Sequence, residues 1–179
     1  QAKARGAEVV LISGPTHLKP PMGVGFKACK TAGEMNSLVQ KCFPECDVLV
    51  MSAAVGDFTA EKLEKEKIKK TSREGQTLNL IPTKDILMEV SKIKTQQFVV
   101  GFAAETQNLI QSALEKLRNK KLDLIVANDI SAPGIGFQSD NNQVTLVDSN
   151  EQVENLPRMA KQEIANILLD KISRDALRK

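Results

Sequence analysis

Four continuous runs of β-branched and aliphatic residues, each ending in or followed by small residues and interspersed with segments of helical spacing, constrain this chain more than any other feature. They are Ala7–Ser13 (AEVVLIS), Asp47–Ser52 (DVLVMS), Gln97–Gly101 (QFVVG) and Leu122–Ala127 (LDLIVA). Strands that are apolar at every position, not at alternate ones, are buried on both faces, which is the pattern of a parallel sheet with helices on each side. The expected fold is therefore α/β: a Rossmann-like, mostly parallel sheet covered on both faces.

The intervening segments fill in the alternation. Val24–Cys29 reads as a short strand. Thr31 and Glu34 stand three apart, as in a capping box, and predict a helix to about Phe43. Asp85–Ile93, Glu105–Lys120 and Met159–Ile172 read as helices, and Gln143–Asp148 as a more exposed strand. Lys67–Leu80 reads as a pair of strands around Arg73-Glu74-Gly75, a small β-excursion from the main sheet. Gln1–Arg5 with Gly6 resemble the last turn of a helix and its glycine stop. A turn that short does not form alone, so an earlier strand and most of a helix are expected to precede it in a single domain spanning residues 1–179.

Composition narrows the function classes. At 179 residues, 41% hydrophobic and 26% charged, the chain has the make-up of one globular domain. No apolar run is long enough to span a bilayer and no secretory block opens the chain, so a cytoplasmic protein is the expectation. A net charge of +3, no Trp, no Tyr and six Phe argue against a nucleic-acid surface. The three cysteines, Cys29, Cys42 and Cys46, lack CxxC spacing, so neither a disulfide framework nor a zinc site is indicated. With His17 as the single histidine, any mechanism needing two is excluded.

In an open parallel sheet, ligands bind beyond the carboxyl ends of the strands. Here those ends carry Ser13-Gly14-Pro15-Thr16, Ser52 to Asp57, Gly101 to Thr106 and Ala127-Asn128-Asp129. Small residues let a ligand approach backbone amides; each segment alone is better read as a turn from strand to helix, but four converging on one edge point to a site. Lys116 and Lys120 share a helix face, where a bound anion would relieve their repulsion; a solvated face explains the spacing as well. The run Lys67-Ile68-Lys69-Lys70 has the same two readings. Neither GxxxxGK[ST] nor a Rossmann glycine fingerprint occurs, since Gly23-Val24-Gly25 precedes a strand and has Ala28 at the third position.

Six strings in order carry a more specific signal. They are Ala53-Ala54-Val55-Gly56-Asp57, Lys67 to Lys70, Lys84-Asp85-Ile86-Leu87, Val100 to Thr106, Leu122 to Asp129 and Gly136 to Asn142. Together, from Ala7 to Ile172, the chain resembles the phosphopantothenoylcysteine synthetase family, the ligase half of the bacterial bifunctional coenzyme A flavoprotein. The resemblance implies a homodimer that joins 4'-phosphopantothenate to cysteine with CTP, or ATP in eukaryotic members, and Mg²⁺. It implies nucleotide contacts from Met51, Ser52, Ala53, Asp57, Lys67, Lys84, Asp85, Ile86, Leu87, Phe102, Lys116 and Lys120, with Lys67 catalytic and Ala54 near the acyl group. It also implies a possible fused flavin-dependent decarboxylase domain.

Two departures stand out. Lys84 replaces a proline usual in the family, and the family's opening strand with its Gly-Pro-Thr loop and a nearby Asn has no counterpart here. Ser13-Gly14-Pro15-Thr16 belongs to the next strand. The competing readings are an NAD(P)-dependent oxidoreductase and a nucleotide-binding module without activity.

Overall fold

The apolar runs at 48–51, 98–105 and 124–129 lie side by side as parallel strands, as their composition requires. The structure, a computed structural model, describes residues 1–62, 66, 77–105, 108–129 and 140–176. A 3₁₀ turn (Lys3–Arg5) leads into β1 (Val10–Ser13), β2 (Gly25–Ala28), α1 (Ala32–Cys42), β3 (Val48–Met51), β4 (Phe58–Ala60), β5 (Leu80–Pro82) and α2 (Ile86–Ile93). Then come β6 (Phe98–Glu105), α3 (Leu109–Asn119), β7 (Leu124–Asp129), β8 (Asn141–Asn142), β9 (Val144–Asp148), β10 (Val153–Asn155), β11 (Met159–Ala160) and α4 (Lys161–Ala176).

Among the described residues the main sheet has five strands in the order β10-β9-β7-β6-β3. Strands β3, β6 and β7 are parallel, while β9 and β10 add on antiparallel. A separate parallel pair joins β1 to β2, and β4 forms an antiparallel hairpin pair with β5.

The side chains of the parallel strands alternate between two cores, as strand geometry demands. One core sets Val99, Ile125 and Ala127 against Val39 of α1, Leu87 and Val90 of α2, and Leu117 of α3. The other sets Phe98, Val100, Leu124 and Val126 against Ile164, Leu168 and Ile172 of α4. Helices thus cover both faces, as the sequence predicts. A buried ion pair ties the sheet's far end together: Asp123 Oδ2 accepts from Val99 N–H (2.7 Å) and from Lys94 Nζ (2.6 Å).

Local capping follows the sequence closely. Thr31 accepts the Glu34 N–H at 3.1 Å, and the Glu34 carboxylate reaches back to the Lys30 N–H at 2.6 Å. Gly6 adopts φ 90° and its N–H closes onto Lys3 O, the glycine stop expected there.

Several expectations are corrected. Strand β9 is buried at all five positions, not exposed, because it lies between β7 and β10 and its side chains enter both cores, Val147 the first and Val144 and Leu146 the second. The strand expected at Gln97–Gly101 continues to Glu105, since Phe102 to Glu105 stay in register with Val126 to Asp129 of β7. The helix expected from Glu105 accordingly starts at Leu109 and ends at Asn119. Met159–Ala160 pair with β8 before α4 begins, so that helix starts two residues later than expected. Of the strand pair expected over Lys67–Leu80, residues 67–76 lie outside the described residues. Leu80 pairs instead with Ala60 of β4, a strand the sequence reading missed.

Candidate functional site

The carboxyl end of β3 is where the segments singled out above converge. Met51 is the last residue of β3, opposite Gly101 of β6, with its side chain against the first core. Ser52, Ala53 and Ala54 follow as exposed residues, and Val55 tucks back against that core. The chain is then stitched to its own later course. Thr83 N–H donates to Asp57 O (2.8 Å) and Thr83 Oγ donates to Gly56 O (2.6 Å). These two bonds set the loop at 52–57 directly beside Lys84 and Asp85.

Asp85 opens α2. Its Oδ1 accepts the Met88 N–H at 3.1 Å, a satisfied helix cap, and its Oδ2 meets Lys120 Nζ at 2.8 Å. Burial opposes its ionisation, but the Lys120 hydrogen bond, the Met88 and Leu87 N–H groups and the Lys120 charge outweigh burial. The Asp85 carboxyl is held below its ordinary range. Ile86 and Leu87 turn inward and are buried, so this segment offers a ligand its backbone and the rim formed by Lys84 and Asp85.

Gly101 explains how closely the layers approach. A Cβ added there would lie 2.7 Å from Leu122 Cδ1 and 3.4 Å from Leu87 Cδ1. The absent side chain is what lets Leu122 settle over the middle of the sheet, while Leu87 would stand at ordinary contact distance.

The remaining residues are distributed as follows. Phe102 is half-buried on the opposite face, against the α4 core, so it reaches the others only around the sheet edge. Lys120 is not within a helix but follows α3 as its cap, its N–H bonded to Lys116 O at 3.0 Å. The expected unpaired repulsion between Lys116 and Lys120 is therefore corrected for Lys120, which is neutralised by Asp85. Lys67, Thr106 and residues 136–139 lie outside the described residues. At the end of β7, Asn142 Nδ2 donates to Asn128 Oδ1 at 3.3 Å. Thr83 was missed by sequence reasoning; nothing in its neighbours marks a residue whose role is to join two distant loops.

Other chemistries are poorly served here. Burial, then the Glu34 charge, push the Cys29 thiol up; burial, then the Asp47 charge, do the same for Cys46. Neither is an activated thiolate. Among the described residues no group of three His, Cys, Asp or Glu could hold a metal ion, and no helix is long and apolar enough to cross a membrane.

A parallel α/β sheet with helices on both faces, and with loops gathered at the carboxyl end of its strands, is the Rossmann-like class. Within that class, residues 1–176 match the family described as the DNA/pantothenate metabolism flavoprotein C-terminal domain, and the chain belongs to it. It is 41% identical over 169 residues to the coenzyme A biosynthesis bifunctional protein CoaBC of Bacillus subtilis (strain 168), covering 94% of this chain and 41% of that one. It is 39% identical over 173 residues to a cysteine/cysteine sulfinic acid decarboxylase of an unknown prokaryotic organism, covering 96% of this chain and 48% of that one. The chain therefore spans less than half the length of these curated relatives. The crystal structure of the C-terminal domain of a CoaBC protein superposes with a TM-score of 0.83 at 32% identity, covering 99% of this chain and 79% of that one.

Proposed function

We propose that this domain joins 4'-phosphopantothenate to cysteine in coenzyme A biosynthesis, through an acyl-nucleotidylate. The pantothenate carboxylate attacks the α-phosphate of CTP, releasing pyrophosphate; the cysteine amine then attacks the acyl carbon, forming the amide and releasing CMP. The observation that carries this reading is the stitching of the 52–57 loop to Asp85 by Thr83, together with the reach of Lys120 to Asp85. It gathers, from separate parts of the chain, most of the described residues that the family resemblance associates with the nucleotide. The family membership and the bifunctional CoaBC relative support the same reading.

In this reading Met51 to Ala53 and Lys84 to Leu87 wall the nucleotide with backbone groups, Phe102 lies at its base, and Asp57, Lys116 and Lys120 contact it. Ala54 lies by the acyl group and Lys67 stabilises charge growing on the α-phosphate. ATP is the alternative nucleotide. Mg²⁺ characteristically binds through one or two carboxylates plus substrate phosphates, and exposed Asp57 fits that modest demand better than an all-protein cage would. When bound, the ion would neutralise phosphate charge.

The same proposal includes a homodimer. Phe58, Leu80 and Ile81 on the β4–β5 hairpin are exposed apolar residues, a surface that a second copy would cover. It also includes a fused flavin-dependent decarboxylase domain in the full protein, located in the cytoplasm. Titration calorimetry with CTP, ATP and NADPH tests the nucleotide assignment: CTP binds best if the reading holds. Tight NADPH binding with none of CTP would return the fold to the oxidoreductase class.

A further inference from the structure

Thr83 does more at the rim of the site than close a turn. The β4–β5 pairing sets Phe58 opposite Pro82, so Thr83 stands opposite Asp57, one step further along. Its N–H donates to Asp57 O at 2.8 Å, and its hydroxyl donates to Gly56 O at 2.6 Å. The two acceptors flank a single Cα. The Gly56 carbonyl lies in the peptide plane before the Asp57 Cα, and the Asp57 carbonyl in the plane after it. Peptide units are planar, so the soft angles between those two planes are the φ and ψ of Asp57 alone. Holding both planes therefore fixes both angles, and with them the direction in which the Asp57 side chain leaves the backbone. Continuing the strand pairing needs only the Thr83 N–H; the hydroxyl adds the anchor on the plane before Asp57.

The Asp57 carboxylate is left open. It is exposed, and among the described residues no hydrogen bond or ion pair engages it. Asp85, across the rim, is the opposite case, with one oxygen on the Met88 N–H and the other on Lys120. A clamped backbone beneath an unengaged carboxylate is the arrangement of a preorganised ligand group, because the cost of ordering it is met before a ligand arrives.

We propose that Thr83 is a positioning residue whose hydroxyl aims the Asp57 carboxylate at the nucleotide. This rests on the nucleotide reading above and extends it to a residue outside the set that the family resemblance supplies.

Calorimetry with CTP on the full-length protein tests it, in wild type, Thr83→Val, Thr83→Ser, Asp57→Asn and the double variant Thr83→Val with Asp57→Asn. Valine keeps the branched shape and the backbone N–H and removes the hydroxyl. Thr83→Val is expected to weaken CTP binding by about tenfold, the scale of one hydrogen bond, and Thr83→Ser to restore wild-type affinity. In the Asp57→Asn background, Thr83→Val is expected to cost less than about twofold, since the group it aims is already gone. Wild-type affinity in Thr83→Val or in Asp57→Asn overturns the proposal. So does an equal loss from Thr83→Val in both backgrounds, because Thr83 would then act independently of Asp57. A wild type that does not bind CTP sinks the underlying nucleotide reading, an outcome visible before any variant is compared, and the proposal falls with it. Urea midpoints show that the proteins compared are folded, and Thr83→Ala takes the place of Thr83→Val in the same cycle if valine lowers the midpoint.

Discussion

Replacing Gly101 by alanine adds one methyl group to the centre of the sheet, and the structure specifies what it meets. The new Cβ lies 2.7 Å from Leu122 Cδ1, closer than carbon atoms approach without displacement, and 3.4 Å from Leu87 Cδ1. Leu122 is 4% exposed and Leu87 9%, so neither can turn out to solvent. Overpacking of this kind costs about 1–3 kcal/mol. At a urea slope of about 2 kcal/mol per molar, a loss near 2 kcal/mol lowers the unfolding midpoint by about 1 M.

The pairwise origin of the effect can be isolated. Leu122→Ala alone leaves a cavity costing about 2–5 kcal/mol, but it also removes the atom that the new methyl strikes. Gly101→Ala with Leu122→Ala is therefore expected to cost less than the sum of the single changes, by at least about 0.5 kcal/mol. Gly101→Ala with an unchanged midpoint, or a strictly additive pair, would refute the claim that this glycine makes room for Leu122.

Three further outcomes are expected. Asp123→Ala takes the buried carboxylate away from the Val99 N–H and from Lys94, which keeps its bond to Lys121 O; the cost is about 3–5 kcal/mol, read by urea unfolding. Lys67→Ala reduces pyrophosphate release by about 10²–10³ while stability moves by less than about 0.5 kcal/mol. An unaffected rate would return that lysine run to solvated surface. Lys116→Ala weakens CTP binding at low salt, and the deficit shrinks as ionic strength rises; a salt series of dissociation constants checks it.

Local signals were legible in the sequence and long-range ones were not. Strands β3 and β7 stand out because double-sided burial demands unbroken apolar runs, and α1 because its cap is complete within Lys30 to Glu34. The extension of β6 through Ala103-Ala104 was hidden, since small residues suit a turn as well as a crowded sheet interior. Burial of β9 depends on its place between β7 and β10 and on the cores that cover both its faces, facts of assembly that composition does not carry. The candidate segments at 51–57, 84–87 and 116–120 were visible as strings. Their assembly was not: Thr83 bridges 27 positions to Gly56, and Asp85 meets Lys120 across helices whose contact no local spacing encodes.

The central claim meets its most direct test in a single reaction mixture of the full-length protein, 4'-phosphopantothenate, cysteine and CTP with Mg²⁺, monitored for pyrophosphate and by mass spectrometry for product. The account predicts pyrophosphate release that requires phosphopantothenate, an acyl-CMP that accumulates when cysteine is withheld, and phosphopantothenoylcysteine when it is supplied. Folded protein that binds CTP yet yields neither pyrophosphate nor amide would contradict the account and leave a nucleotide-binding module without ligase chemistry.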